Sequence, residues 1–193
     1  MDTAVTIENK RIKRIHPQKF ALWLAMASIT MMFGAFTSAY IVKHAAGNWL
    51  DFRLPDIFFI STMVLLASSI TLESSYRSFV KGNEKAYKSL LVISGILGIA
   101  FVTFQYMGWN ELFSIGIDLK GNPSGSFLYL ITGVHAAHIL GGVAAITVAC
   151  IHAFSLKYKV TDQRKHRFQL VVQYWHFVDL LWIYLLLFLL LYK

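Results

Sequence analysis

Apolar residues in this chain fall into long runs separated by short polar segments. Five runs stand out, at residues 20–42, 57–79, 90–113, 127–154 and 170–192. At 1.5 Å per residue, each is long enough as a helix to cross ~30 Å of hydrocarbon. The pattern therefore predicts an all-α membrane protein, with five transmembrane helices in one bundle. Between the runs lie GNWLDFRLPD (47–56), DLKGNPSGS (118–126) and YKVTDQRKHR (158–167). The first two carry prolines and the third is charged, so all three read as loops. There is no internal repeat, low-complexity tract or long linker. The expected organisation is a basic tail over residues 1–19 and one membrane domain over 20–193.

Composition agrees with that reading. Of 193 residues, 56% are hydrophobic and 15% charged, against ~45–50% and ~25% in soluble domains. Charge then sets the orientation. Lys10, Arg11, Lys13, Arg14 and Lys19 precede the first run. Arg77, Lys81, Lys85 and Lys88 flank the second connection, and Lys157, Lys159, Arg164, Lys165 and Arg167 the fourth. Only Lys43, Arg53, Lys120 and Lys193 fall on the other side. The positive-inside rule predicts a cytoplasmic N-terminus and a periplasmic C-terminus. The net charge of +8 is thus a topology signal scattered over three segments, and no nucleic-acid partner is expected. The first run exceeds the ~7–15 residues of a signal-peptide core, so an uncleaved helix is expected. The single cysteine, Cys150, permits no internal disulfide and no cysteine metal cluster. It reads as packing.

Ionisable groups within membrane spans call for a reason, because lipid exposes them at a cost of several kcal/mol. The fourth run contains GVHAAHILGG (133–142). His135 and His138 share a helix face, with Gly142 near it. Beside them runs a stripe of small residues, Gly133, Ala137, Gly141, Ala145 and Ala149, of the kind that lets helix backbones approach closely. The fifth run carries Trp175, His176, Asp179 and Trp182, each within a turn or two of the others. An indole or imidazole N–H can satisfy a buried carboxylate.

Three chemistries fit these residues. Histidines on facing helices can ligate haem or metal. A His–Asp pair can relay protons, although no acids continue outward from it. A hydrogen-bonded network of His135, His138, Trp175, His176, Asp179 and Trp182 can instead fix helix packing, and we expect this structural role. Glu73 is positioned to pair with Arg77, and Gln105 to bond a neighbouring helix. His152 and Lys157, at the inner end of the fourth run, suit anionic lipid headgroups. Trp49, Trp109, Tyr129, Tyr158 and Tyr192 lie near run ends, as in an aromatic belt.

The stretch YWHFVDLLW resembles the C-terminal helix of subunit III of the haem–copper oxidases, matching a Tyr-Trp-His-Phe-x-Asp-x-x-Trp pattern at Tyr174, Trp175, His176, Phe177, Asp179 and Trp182. SGSFLYLITGVHAAHILGG resembles a second family segment at Gly125, Ser126, Phe127, Gly133, His135, His138 and Gly142. LLASSITL (65–72) resembles its second-span pattern. The likeness runs colinearly over residues 20–193 and is similar to the short, five-span bacterial form. Two family acids are absent. Ile29, beside Thr30, stands at one position, and Gly108 at the other, in QYMGW. The histidines that would partner the first acid are expected to find Thr30 or backbone carbonyls.

The resemblance implies an accessory subunit in the bacterial cytoplasmic (inner) membrane. It would stabilise the catalytic subunit I, hold phospholipid and contact other oxidase subunits, with membership of a respiratory supercomplex left open. It implies no catalytic residue, metal ligand or cofactor in this chain, since haem and copper reside in partner subunits. Subunit III homologues of quinol oxidases and of nitric oxide reductase share the short form. From another class, a di-histidine membrane cytochrome or a small transporter stays open.

Overall fold

The computed structural model describes residues 16–192 and consists of five helices. They are α1 (Pro17–Ala45), α2 (Ile57–Val80), α3 (Glu84–Ser114), α4 (Pro123–Ser155) and α5 (Asp162–Leu191). All five are long and apolar enough to cross a membrane. Lys10, Arg11, Lys13 and Arg14 of the basic tail, and Lys193, lie outside the described residues.

Each helix extends beyond its apolar run, and two expected loops prove partly helical. Asn122 caps α4, its side chain accepting from Ser124 N–H at 3.0 Å, with Pro123 in the first helical position. A proline there loses nothing, because its missing N–H would have no intrahelical partner. Thr161 likewise caps α5. Arg164, Lys165 and Arg167 therefore ride on the first turns of α5 and not in a loop.

The α2–α3 connection is three residues long. Asn83 N–H bonds Ser78 C=O at 3.0 Å and Gly82 N–H bonds Phe79 C=O at 3.3 Å. This is a Schellman stop, which requires the left-handed conformation that Gly82 adopts at φ 86°. Asn83 then caps α3 by accepting from Ala86 N–H. So short a turn forces antiparallel neighbours, and α2 and α3 form the most extensive helix pair. α5 approaches α1, α2 and α4, whereas α1 approaches only α4 and α5.

Between helices, polar side chains act as point fasteners. Ser68 hydroxyl donates to Ser94 C=O at 2.9 Å, Ser75 hydroxyl to Tyr87 C=O at 2.8 Å, and Gln105 Nε2 to Ser61 Oγ at 3.0 Å. Trp109 Nε1 donates to Thr132 Oγ1 at 3.0 Å, and Tyr174 hydroxyl to His138 C=O at 3.1 Å. Thr37 Oγ1 and Tyr184 hydroxyl are bonded at 3.0 Å. Interhelical bonds in membranes average only ~0.6 kcal/mol each, so they set register more than they set stability. Gln105 bonds the neighbouring helix as its sequence position suggested.

The small-residue stripe of α4 is not where this bundle closes. Gly133 has nothing within 4 Å of a built Cβ, and Gly141 meets only the Tyr174 hydroxyl at 3.7 Å. Ala137 and Gly141 are exposed, and Ala145 is half-buried. The close approach falls one position over, at Gly142, where a Cβ would sit 2.7 Å from Trp175 Cε3. Gly98 on α3 is equally tight, at 2.8 Å from Trp175 Cη2. The indole of Trp175 thus fills a slot that two glycines open. Gly142→Leu should destabilise the chain in detergent by about 1–3 kcal/mol through overpacking, whereas Gly133→Leu should leave its thermal midpoint unchanged. Equal melting of the two variants would reject this assignment of the seam.

Candidate functional site

The residues marked out by the sequence separate into three places. The first is centred on His135, which has no exposed surface. Its ring stacks on Trp182 of α5 at 5.1 Å and 27°. Phe33 of α1 and Phe101 of α3 meet it edge-on at 6.3 and 6.1 Å. Trp182 Nε1 donates to Thr62 Oγ1 of α2 at 2.8 Å. All five helices therefore converge on one imidazole–indole stack. Neither nitrogen of His135 has a hydrogen-bond partner.

His138, half-buried on the next turn, faces Phe33 at 5.8 Å. Its Nδ1 lies 2.8 Å from Val134 C=O. A carbonyl only accepts, so the proton resides on Nδ1. This is a backbone carbonyl on its own helix. Thr30 is not the partner, since its hydroxyl bonds Met26 C=O.

The second place lies between α2 and α5. His176 Nε2 sits 3.7 Å from Glu73 Oε2, and Arg77 Nε bonds Glu73 Oε1 at 2.8 Å. Asp179, one turn deeper, is only 6% exposed and faces Ser69 and His176. The expected indole–carboxylate bonds are not formed. Trp182 gives its N–H to Thr62, and Trp175 Nε1 is buried without a partner. The six polar residues hence do not make one connected network. The Glu73–His176 contact joins helices 103 residues apart in sequence, and no local spacing announces it.

The third place is a groove of about 320 Å³ at the end where Lys81, Lys85 and Lys159 also lie. Its apolar wall comes from Val148, Ala149 and Phe168, and its basic groups are His152, Arg164 and Arg167. Tyr158 closes the far side, donating to Phe79 C=O at 2.8 Å. Burial, helped by Glu84, pushes the Tyr158 hydroxyl above its ordinary pKa, so it stays a donor. Lys157 is exposed and does not line the groove; its carbonyl accepts from Arg164 at 2.9 Å. Arg164 and Arg167 were missed because their segment read as a loop. Recognising Thr161 as a cap would have put both on one helical face with Phe168 and Val171.

Among the described residues, no group of three or more His, Cys, Asp or Glu side chains could hold a metal. His135 is enclosed by Trp182, Phe33 and Phe101, which leaves no approach for a macrocycle. Cys150 is a free, half-buried thiol.

The stack predicts a contrast. His135→Ala should open a cavity against Trp182 and cost about 2–4 kcal/mol, as large-to-small core changes do. His135→Phe keeps the ring and removes two unpartnered nitrogens, so it should be neutral or mildly stabilising. Thermal melts of the two variants in detergent test this. A loss with Phe as large as with Ala would mean that the imidazole nitrogens are bonded.

Comparison with known proteins matches residues 19–193 to the family described as cytochrome c oxidase subunit III. The chain is 28% identical over 187 residues to a probable cytochrome c oxidase subunit 3 of Mycobacterium bovis, covering 94% of this chain and 91% of that one. It is 30% identical over 126 residues to cytochrome c oxidase subunit 3 of Oryctolagus cuniculus, covering 65% of this chain and 46% of that one. With the Trichophyton rubrum protein of the same name it shares 33% over 134 residues, or 69% of this chain and 47% of the relative. The chain thus spans about half the length of its animal and fungal relatives and nearly all of the mycobacterial one. A five-helix chain able to span a membrane, carrying these motifs in order over its whole helical length, belongs to the cytochrome c oxidase subunit III family.

Proposed function

We propose that this chain is the accessory subunit III of a terminal oxidase in the bacterial cytoplasmic membrane. In this reading it braces the catalytic subunit I, carries no redox centre, and retains phospholipid. The family match supports the assembly role, because a third subunit implies a multi-subunit complex. The basic distribution supports a cytoplasmic N-terminus. For the absence of a redox centre, the support is chemical. His135 is walled in by the rings of Trp182, Phe33 and Phe101. The ring that faces His138 is Phe33, not a second imidazole that could share a haem iron.

The observation that carries the lipid role is the groove. It combines an apolar wall with Arg164, Arg167 and His152 at the basic end of the bundle. Guanidinium groups bind phosphate bidentately, and the apolar wall suits an acyl chain. Arg164→Gln with Arg167→Gln should remove retained phospholipid from the purified complex, read by native mass spectrometry, with subunit stoichiometry and haem content unchanged. Unaltered lipid content would reject the groove as the site. The isolated chain should show no Soret band and no stoichiometric metal; one haem per chain would overturn the accessory reading in favour of a cytochrome.

A further inference from the structure

We propose that the uncovered strip of α5 between α1 and α2 is the docking face for a transmembrane helix of a neighbouring oxidase subunit, held there through Glu73 and His176. The inference rests on the accessory-subunit reading and deepens it by naming the face.

Three observations carry it. The backbones of α1 and α2 do not approach each other, although both approach α5. α5 consequently keeps an open strip, with Leu180 69%, Tyr184 46% and Leu187 54% exposed. The basic half of this strip is not apolar. The side chains of His176 and Glu73 are 42% and 32% exposed there. Glu73 lies seven residues before the end of α2 at Val80, roughly 10 Å in at 1.5 Å per residue. Ionisable groups at such depth face protein or water, not acyl chains.

The second observation is that the pair does not satisfy itself. At 3.7 Å, Nε2 and Oε2 are beyond hydrogen-bond length. Arg77 takes only the other carboxylate oxygen of Glu73. One turn deeper, Asp179 Oδ1 and Ser69 Oγ are buried without partners. Glu73 Oε2 and Asp179 Oδ1, which no hydrogen bond fills, are both acceptors.

The third is charge complementarity. A lipid phosphate would find one guanidinium here, Arg77, already bonded to Glu73 beside a second carboxylate, whereas the groove offers it both Arg164 and Arg167. The occupant that fits the seam is a polypeptide helix presenting a hydrogen-bond donor side chain. The outer face of α3 shows the contrast. There Ile93, Ile96 and Ile99 are 44%, 60% and 57% exposed, a face that lipid satisfies fully.

The test uses the assembled complex in native membranes. A benzophenone amino acid replaces Leu180 in one strain and Ile96 in another, and irradiated adducts are identified by mass spectrometry. A cross-link from position 180 to another oxidase subunit, with lipid adducts from position 96, is the expected result. Only lipid adducts at 180, or a cross-link to a second copy of this chain, would overturn the proposal. In parallel, Glu73→Gln should lower retention of the chain in the detergent-washed complex roughly threefold, the scale of one interhelical bond; unchanged retention counts against the face. If the chain purifies with no other oxidase subunit before any irradiation, the accessory reading itself fails and the docking face falls with it.

Discussion

The stack of His135 on Trp182 is the contact on which the bundle depends. Helices in lipid gain nothing from leaving water, so their association must come from close packing and from bonds between them. A large flat side chain serves both ends. Trp182 offers its face to His135 and its N–H to Thr62. Phe58, Phe101 and Phe33 complete the ring contacts around the pair. Each of the five helices contributes a side chain here. α1 in particular, which approaches neither α2 nor α3 by its backbone, is tied to the centre through Phe33.

Around that centre, α5 acts as the core helix. It buries both Trp175 and Trp182 fully, and its neighbours are shaped to receive them. Gly98 and Gly142 give up their side chains so that Trp175 can enter. Serines do the same at smaller scale along α2 and α3, where Ser68, Ser75 and Ser94 let the backbones draw together and then bond across the gap. Large rings on one helix and small residues on its neighbours are two halves of one packing solution, and α1, bonded mainly through Thr37 and Tyr40, is the least embedded member.

Much of this was legible beforehand. Five apolar runs give five helices, because a span long enough for the bilayer has no alternative backbone structure that satisfies its own hydrogen bonds. The motifs pointed to the family. Helix ends were harder, since Pro123 and Thr161 are punctuation that reads as loop until the cap is seen. The site residues were harder still. The small stripe at Gly133, Ala137 and Gly141 and the tight glycine at Gly142 differ by about 100° of helix rotation, and only the position of Trp175 decides between them. Likewise the partner of His176 is Glu73 on a distant helix, a pairing fixed by bundle topology and invisible to local spacing.

Ile29, where the resemblance implies an acid, packs against the apolar core. On α4, His138 turns its Nδ1 proton to its own helix backbone, and His135 is an aromatic spacer between Phe33, Phe101 and Trp182. A cluster of ionisable residues sits instead at the α2–α5 seam. There Glu73, Arg77, His176 and Asp179 sit near the basic end, with the arginine within reach of the headgroups by snorkelling. The centre of the bundle can thus be neutral and rigid while its charged chemistry is confined to the periphery. The proposed accessory role calls for that division: a stiff core that holds its shape, and charged edges, one suited to lipid and one to protein.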